Sequence, residues 1–268
     1  MSSLDSFFET VKLPSMSEVA HALIQTLNDD NATFVEVRNI IAQDPALSAR
    51  LLRLANSAHF GLPRGVGTLD EAIAMVGMSQ VRALSLCSCM NTAFPPLPGL
   101  DRHEYWRSSM ACAGYSRWFA DCLGMDAQQA WLTGMMLRLG ELLIGQAQPD
   151  ALRDIEMLPR QPGERWVRET RLTGFSEGQI TAELARRWNF PMQMVQGLQR
   201  SSDPLTEQAF SRLGSVLHLS GLLADMPYTG VEMLDALPHE VIDSFQVDVQ
   251  WMRSSFPAAD SFVDFSDT

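Results

Sequence analysis

Residues 40–84 read "IIAQDPALSARLLRLANSAHFGLPRGVGTLDEAIAMVGMSQVRAL", and their punctuation decides the fold class. Asp44-Pro45 supplies a side chain that can cap orphan N–H groups. It also puts a proline at the first helical position, where a missing N–H is harmless. Leu47, Leu51, Leu54 and Ala55 then recur at helical spacing. A Gly- and Pro-rich stretch, "FGLPRGVG" at 60–67, breaks the pattern. Thr68 followed by Glu71 restarts a helix with a capping box, and Val81, Leu84 and Leu86 seed the next apolar stripe.

The rest of the chain uses the same grammar. Ser15 with Glu18, Thr33 with Glu36 and Ser176 with Gln179 are further capping boxes. Alternating strand patterns bounded by hairpin turns are missing. The chain is therefore expected to be all-α, with helices over 16–28, 33–43, 45–57, 68–76, 79–93, 101–123 and 127–145. Shorter helices should follow to 200, with a few more at the end. "PPLPG", residues 95–99, holds three prolines, and no helix can cross it. It separates an N-terminal helical subdomain, 1–94, from a second, 100–225. Residues 226–268 make a helical extension ending in an acidic tail, "PAADSFVDFSDT", expected to be ordered only in part.

Composition excludes several classes. Of 268 residues, 46 % are hydrophobic and 19 % charged, as in globular rather than disordered chains. No apolar run reaches the roughly 18 residues of a membrane span. The opening "MSSLDSFFETVKLPS" has two acids before its first base and no signal-peptide pattern, so a cytoplasmic location is expected. A net charge of −12 disfavours non-specific nucleic-acid binding. Cys87, Cys89, Cys112 and Cys122 form no C-x-x-C and read as ordinary buried thiols. Of His21, His59, His103, His218 and His239, no two are three to five residues apart, so no helical metal pair forms. G-x-S-x-G, Walker and G-x-G-x-x-G motifs are absent. No cofactor is expected.

The 40–84 stretch resembles the HDOD domain, a bacterial regulatory relative of the HD phosphohydrolases. The matching residues are Asp44-Pro45, Ala49-Arg50-Leu51-Leu52, Ala55-Asn56-Ser57, Phe60-Gly61 and Ala72-Ile73 ahead of Gly77. "LPSMSEVAHALIQTLND" upstream, and "YWRSSMACA" and "RWNFP" downstream, extend the likeness over residues 12–225. The resemblance implies a five-helix N-terminal subdomain and an HD-like helical one. It also implies where metal ligands would stand in a hydrolytic relative. Here the first His position holds Ser108, and the adjacent His-Asp pair is Leu137-Arg138. Another His is Glu177, a His-His pair is Ser201-Ser202, and a late Asp is Gly221. Leu and Gly offer no ligand, and Arg repels a divalent cation.

The resemblance thus points to a non-catalytic signalling module that acts by binding another signalling or regulatory protein. Arg50, Asn56 and Arg64 are candidate members of the partner surface. One alternative is a receptor for an anionic small molecule, such as a nucleotide, in the degenerate cavity. The other is a divergent metal-dependent phosphohydrolase. Arg138 is the sharpest test, because it sits mid-way along the apolar run "TGMMLRLGELL", residues 133–143. A buried guanidinium needs a carboxylate. Glu177 is the expected partner, Glu141 on the same helix is the alternative, and a phosphate-bearing ligand could compete for the fork.

Overall fold

The computed structural model describes residues 4–57, 64–158, 161–205, 210–227, 229–246, 249–257 and 262. His59, Phe60-Gly61 and the rest of the 60–67 loop up to Pro63, and all of the acidic tail but Pro257 and Phe262, lie outside the described residues. Among the described residues every regular element is a helix. In order they are α1 (Leu4–Thr10), α2 (Glu18–Leu27), α3 (Phe34–Ala42), α4 (Pro45–Ala55), α5 (Leu69–Val76), α6 (Met78–Ala93), α7 (Arg102–Leu123) and α8 (Ala127–Met136). Then come α9 (Leu139–Ala147), α10 (Pro149–Ile155), α11 (Glu164–Thr173), α12 (Glu177–Arg187), α13 (Met192–Arg200) and α14 (Arg212–Ala224). A 3-10 turn (Val231–Ala236), α15 (His239–Asp243) and α16 (Val249–Ser254) close the chain. None of these helices is by itself long and apolar enough to cross a membrane.

The chain divides into two compact units, one of Pro14–Pro95 with Arg187–Pro191, the other of Met1–Leu13, Pro96–Arg186 and Met192–Ser266. The break falls inside "PPLPG". The first thirteen residues group with the larger unit, not with the N-terminal subdomain to which 1–94 assigned them. In the smaller unit α6 packs against α2, α3, α4 and α5. It buries residues around its whole circumference, from Gln80 and Val81 through Leu84, Ser85 and Leu86 to Met90, as a central helix must. The caps follow the sequence with one correction. Asp44 accepts from the Ala46 and Leu47 N–H groups at 2.9 and 3.0 Å. Thr68 and Glu71 form the full reciprocal box. For α2 the cap is Ser17, not Ser15: the helix starts at Glu18, so the residue directly before it accepts from Ala20 N–H, at 3.2 Å.

In the larger unit α7, α8, α13 and α14 pack together. The extension beyond 225 is not a separate layer. Met233, Leu234, Leu237, Val241, Ile242, Phe245 and Met252 share one core with Tyr115, Trp118 and Phe119 of α7 and Val216, Leu219 and Leu223 of α14.

The expected helix 127–145 is broken. α8 ends at Met136 and α9 begins at Leu139, so Leu137 and Arg138 form the joint. The cause is a hydroxyl from α12. Thr181 Oγ1 donates to the Leu137 carbonyl at 3.0 Å and accepts from Gly140 N–H at 2.7 Å. One side chain thus satisfies an orphan carbonyl and an orphan N–H of the joint. The approach needs a glycine: a Cβ on residue 140 would stand 2.2 Å from the Glu177 carbonyl oxygen. Thr181→Val keeps the shape and removes both hydrogen bonds, so it should lower stability by about 1–3 kcal/mol. Thr181→Ser should restore most of it. Urea denaturation of the three proteins checks this, and equal midpoints would mean the hydroxyl does not hold the joint.

Candidate functional site

The joint delivers Arg138 into a buried network. Arg138 is 3 % exposed. Its Nε and Nη2 donate to Glu141 Oε2 at 2.9 and 2.6 Å, and Nη2 also reaches Glu156 Oε1 at 3.3 Å. The guanidinium lies over the Tyr105 ring of α7, 4.9 Å from its centroid, an arrangement that favours a cation. The expected Arg138–Glu177 pair is therefore overturned. With the helix broken, Arg138 becomes the residue capping α9 and Glu141 lies in that helix's first turn, close enough to take the guanidinium.

Glu177 is engaged by a second arginine that the sequence reading passed over. Arg165 of α11 donates from Nε and Nη2 to the two Glu177 oxygens at 3.2 and 2.9 Å, a forked geometry. Its Nη1 donates to Asp225 Oδ1 at 2.6 Å. Trp166 Nε1 donates to Glu177 Oε1 at 2.7 Å. Glu169 accepts the Glu177 backbone N–H at 2.6 Å. Arg165, Glu169, Glu177 and the Asp225 side chain are all within 1 % of complete burial. The overlooked signal was the periodicity of "ERWVRET": residues 165, 166, 169 and 173 face inward, whereas Val167 is 67 % exposed.

Of the other positions that the resemblance singles out, Leu137 and Gly221 lie beside this network. Leu137 is fully buried, and a Cβ on Gly221 would meet its methyl group at 3.3 Å and the Trp166 ring at 2.7 Å. The space left by the missing side chain at 221 is thus filled by indole. Ser201 is buried, and its carbonyl accepts from His218 at 2.8 Å. Ser202 accepts from Ser176 Oγ at 3.0 Å. Ser108 is buried on α7. These residues do not suit a divalent metal. Two guanidinium groups occupy the carboxylates, leucine and tryptophan fill the remaining volume, and no cluster of three His, Cys, Asp or Glu able to hold a metal occurs among the described residues.

The partner-surface candidates lie apart, in the smaller unit. Arg50 Nη1 donates to Thr92 Oγ1 at 2.8 Å. Asn56 is a brace: its amide donates to the Leu52 and Val66 carbonyls, and its oxygen accepts from Val66 N–H. Arg64 is exposed near Glu71. Of the four expected buried thiols, Cys87 and Cys112 are buried and Cys89 and Cys122 only half-buried; burial pushes Cys112 up to about 12.

The network carries two guanidinium groups against five carboxyls, Glu141, Glu156, Glu169, Glu177 and Asp225. Burial raises Glu141 to about 8 despite Arg138 beside it. Burial and the neighbouring Glu177 raise Glu169 well above the ordinary carboxyl range. Both bind a proton more tightly folded than unfolded. Their stabilisation is complete below the ordinary value of 4.5 and is lost as pH rises, for Glu141 through about 8. Glu169→Gln keeps an acceptor for the Glu177 N–H and needs no proton. The melting temperature of the wild type should fall more between pH 5 and pH 8 than that of Glu169→Gln. Parallel curves would show that Glu169 is ionised throughout.

Known structures share this architecture. A candidate phosphohydrolase of Shewanella amazonensis SB2B is 27 % identical, with TM-score 0.72 over 94 % of this chain and 91 % of that one. An HDOD domain protein of unknown function from Geobacter sulfurreducens is 20 % identical, with TM-score 0.73 over 94 % and 93 %. A candidate signal transduction protein of Marinobacter aquaeolei VT8 is 21 % identical, with TM-score 0.70 over 95 % of this chain and 60 % of that one. An uncharacterized protein of Treponema pallidum (strain Nichols) is 20 % identical over 258 residues, 92 % of this chain and 50 % of that protein. This chain therefore spans half the length of that curated relative. Residues 13–204 match the HDOD domain, and the chain belongs to the HDOD domain family.

Proposed function

We propose that this chain is a non-catalytic HDOD module that works by binding another signalling or regulatory protein. The observation that carries the reading is the Arg165–Glu177–Asp225 network with Arg138–Glu141 beside it. Metal-assisted phosphate hydrolysis needs open coordination positions and a water held on the metal. Here the corresponding volume holds guanidinium groups, Leu137 and the Trp166 ring. The name of the Marinobacter relative, a candidate signal transduction protein, agrees with a regulatory role.

Two outcomes follow. Purified protein supplied with manganese, iron or magnesium should not hydrolyse bis(p-nitrophenyl) phosphate or a cyclic dinucleotide above a heat-denatured control. Turnover that disappears in Arg165→Met or Arg138→Met would overturn the non-catalytic reading. For the partner surface, Arg50→Glu with Arg64→Glu should leave the melting temperature unchanged and deplete the proteins captured from the native host. An unchanged capture pattern would remove these arginines from the surface. Asn56 is left out of that test because its substitution would release the Val66 loop.

A further inference from the structure

A cleft of about 990 Å³ opens in the larger unit between α11, α12, the segment after α13 and α14. That is the size of sites that take small organic ligands. Its apolar wall is Val167, Leu222 and an edge of Trp166. Its polar end is Gln179, Ser202, Asp203 and His218. The Trp166 and His218 rings lie 5.2 Å apart at 37°.

The hydrogen bonds already made fix what the polar end can still offer. Gln179 Oε1 accepts from Ser176 N–H at 3.0 Å, so its amide N–H groups remain as donors. Ser202 Oγ accepts from Ser176 Oγ at 3.0 Å, so its own proton can be donated. The Ser201 carbonyl holds His218 Nδ1 at 2.8 Å. A carbonyl can only accept, so Nδ1 carries the proton and Nε2 presents a lone pair. Burial lowers the His218 pKa. The cleft thus combines amide and hydroxyl donors with an imidazole acceptor. Its charged lining is Glu164 and Asp203 against Arg171, which leaves no excess positive charge for a phosphate.

We propose that this cleft binds an uncharged planar heterocycle with a donor–acceptor edge, of the nucleobase or nucleoside class. Such an edge pairs with Gln179, Ser202 and His218 while the ring body lies against Val167, Leu222 and Trp166. The site shares Ser202 with the degenerate positions and borders Trp166, and the reading stands independently of whether the chain hydrolyses anything. Occupancy would be felt by the buried network, because the Trp166 indole that borders the cleft donates to Glu177.

Isothermal titration of the full chain with hypoxanthine, adenosine, guanosine and guanosine monophosphate tests the proposal. At least one uncharged probe should bind one to one, with Kd below about 100 μM. Gln179→Glu retains the acceptor for Ser176 N–H and loses the donors, and should weaken that probe by about tenfold or more, roughly 1.4 kcal/mol. Val167→Trp, at an exposed position, should abolish binding with the melting temperature of the free protein unchanged. Three results would each overturn the assignment: no uncharged probe bound at millimolar concentration, binding unaffected by both substitutions, or guanosine monophosphate bound more tightly than guanosine.

Discussion

The Arg165 guanidinium is the constraint around which the larger unit is arranged. An unpaired charge at 1 % exposure is untenable, so its partners must arrive from three directions. Glu169 lies on its own helix, Glu177 opens α12, and Asp225 ends α14. Each acid fixes the helix that carries it. Trp166, one residue along, donates to Glu177 and packs its ring against Gly221, so charge pairing and volume filling are settled by adjacent residues. Replacing the whole network by apolar groups could be neutral in energy. Its fixed fork geometry specifies one mutual placement of α11, α12 and α14, which a greasy contact would not.

Gly221, where the resemblance would place an Asp, has no side chain, and the Trp166 indole fills the space beside it. Asp225, four residues on, supplies a carboxylate to Arg165. Leu137 adds an apolar wall next to Gly221. The carboxylates that remain face guanidinium groups, and burial pushes Glu141 and Glu169 above the ordinary carboxyl range.

Helix identity was legible wherever a cap preceded an apolar stripe. Asp44-Pro45, Thr68-Glu71 and Ser176-Gln179 all act at the helix starts where their spacing puts them. The joint at Leu137–Arg138 was not legible, because Gly134 and Gly140 do not by themselves specify a break in "GMMLRLGEL"; the hydroxyl that satisfies it comes from Thr181, 41 residues away from Gly140. Arg165 and Glu169 escaped notice for a different reason. A basic and an acidic residue one helical turn apart have the appearance of a solvated pair, and only burial distinguishes a surface pair from a core one. Glu177 was singled out as a former ligand position, but its partner was assigned to the wrong arginine, since Arg165 and not Arg138 donates to it.

The remote origin of that joint has a consequence for synthesis. When residues 127–147 leave the ribosome, α12 has not been made. The two Thr181 hydrogen bonds that hold the joint can form only after residue 181 has emerged and α12 has docked.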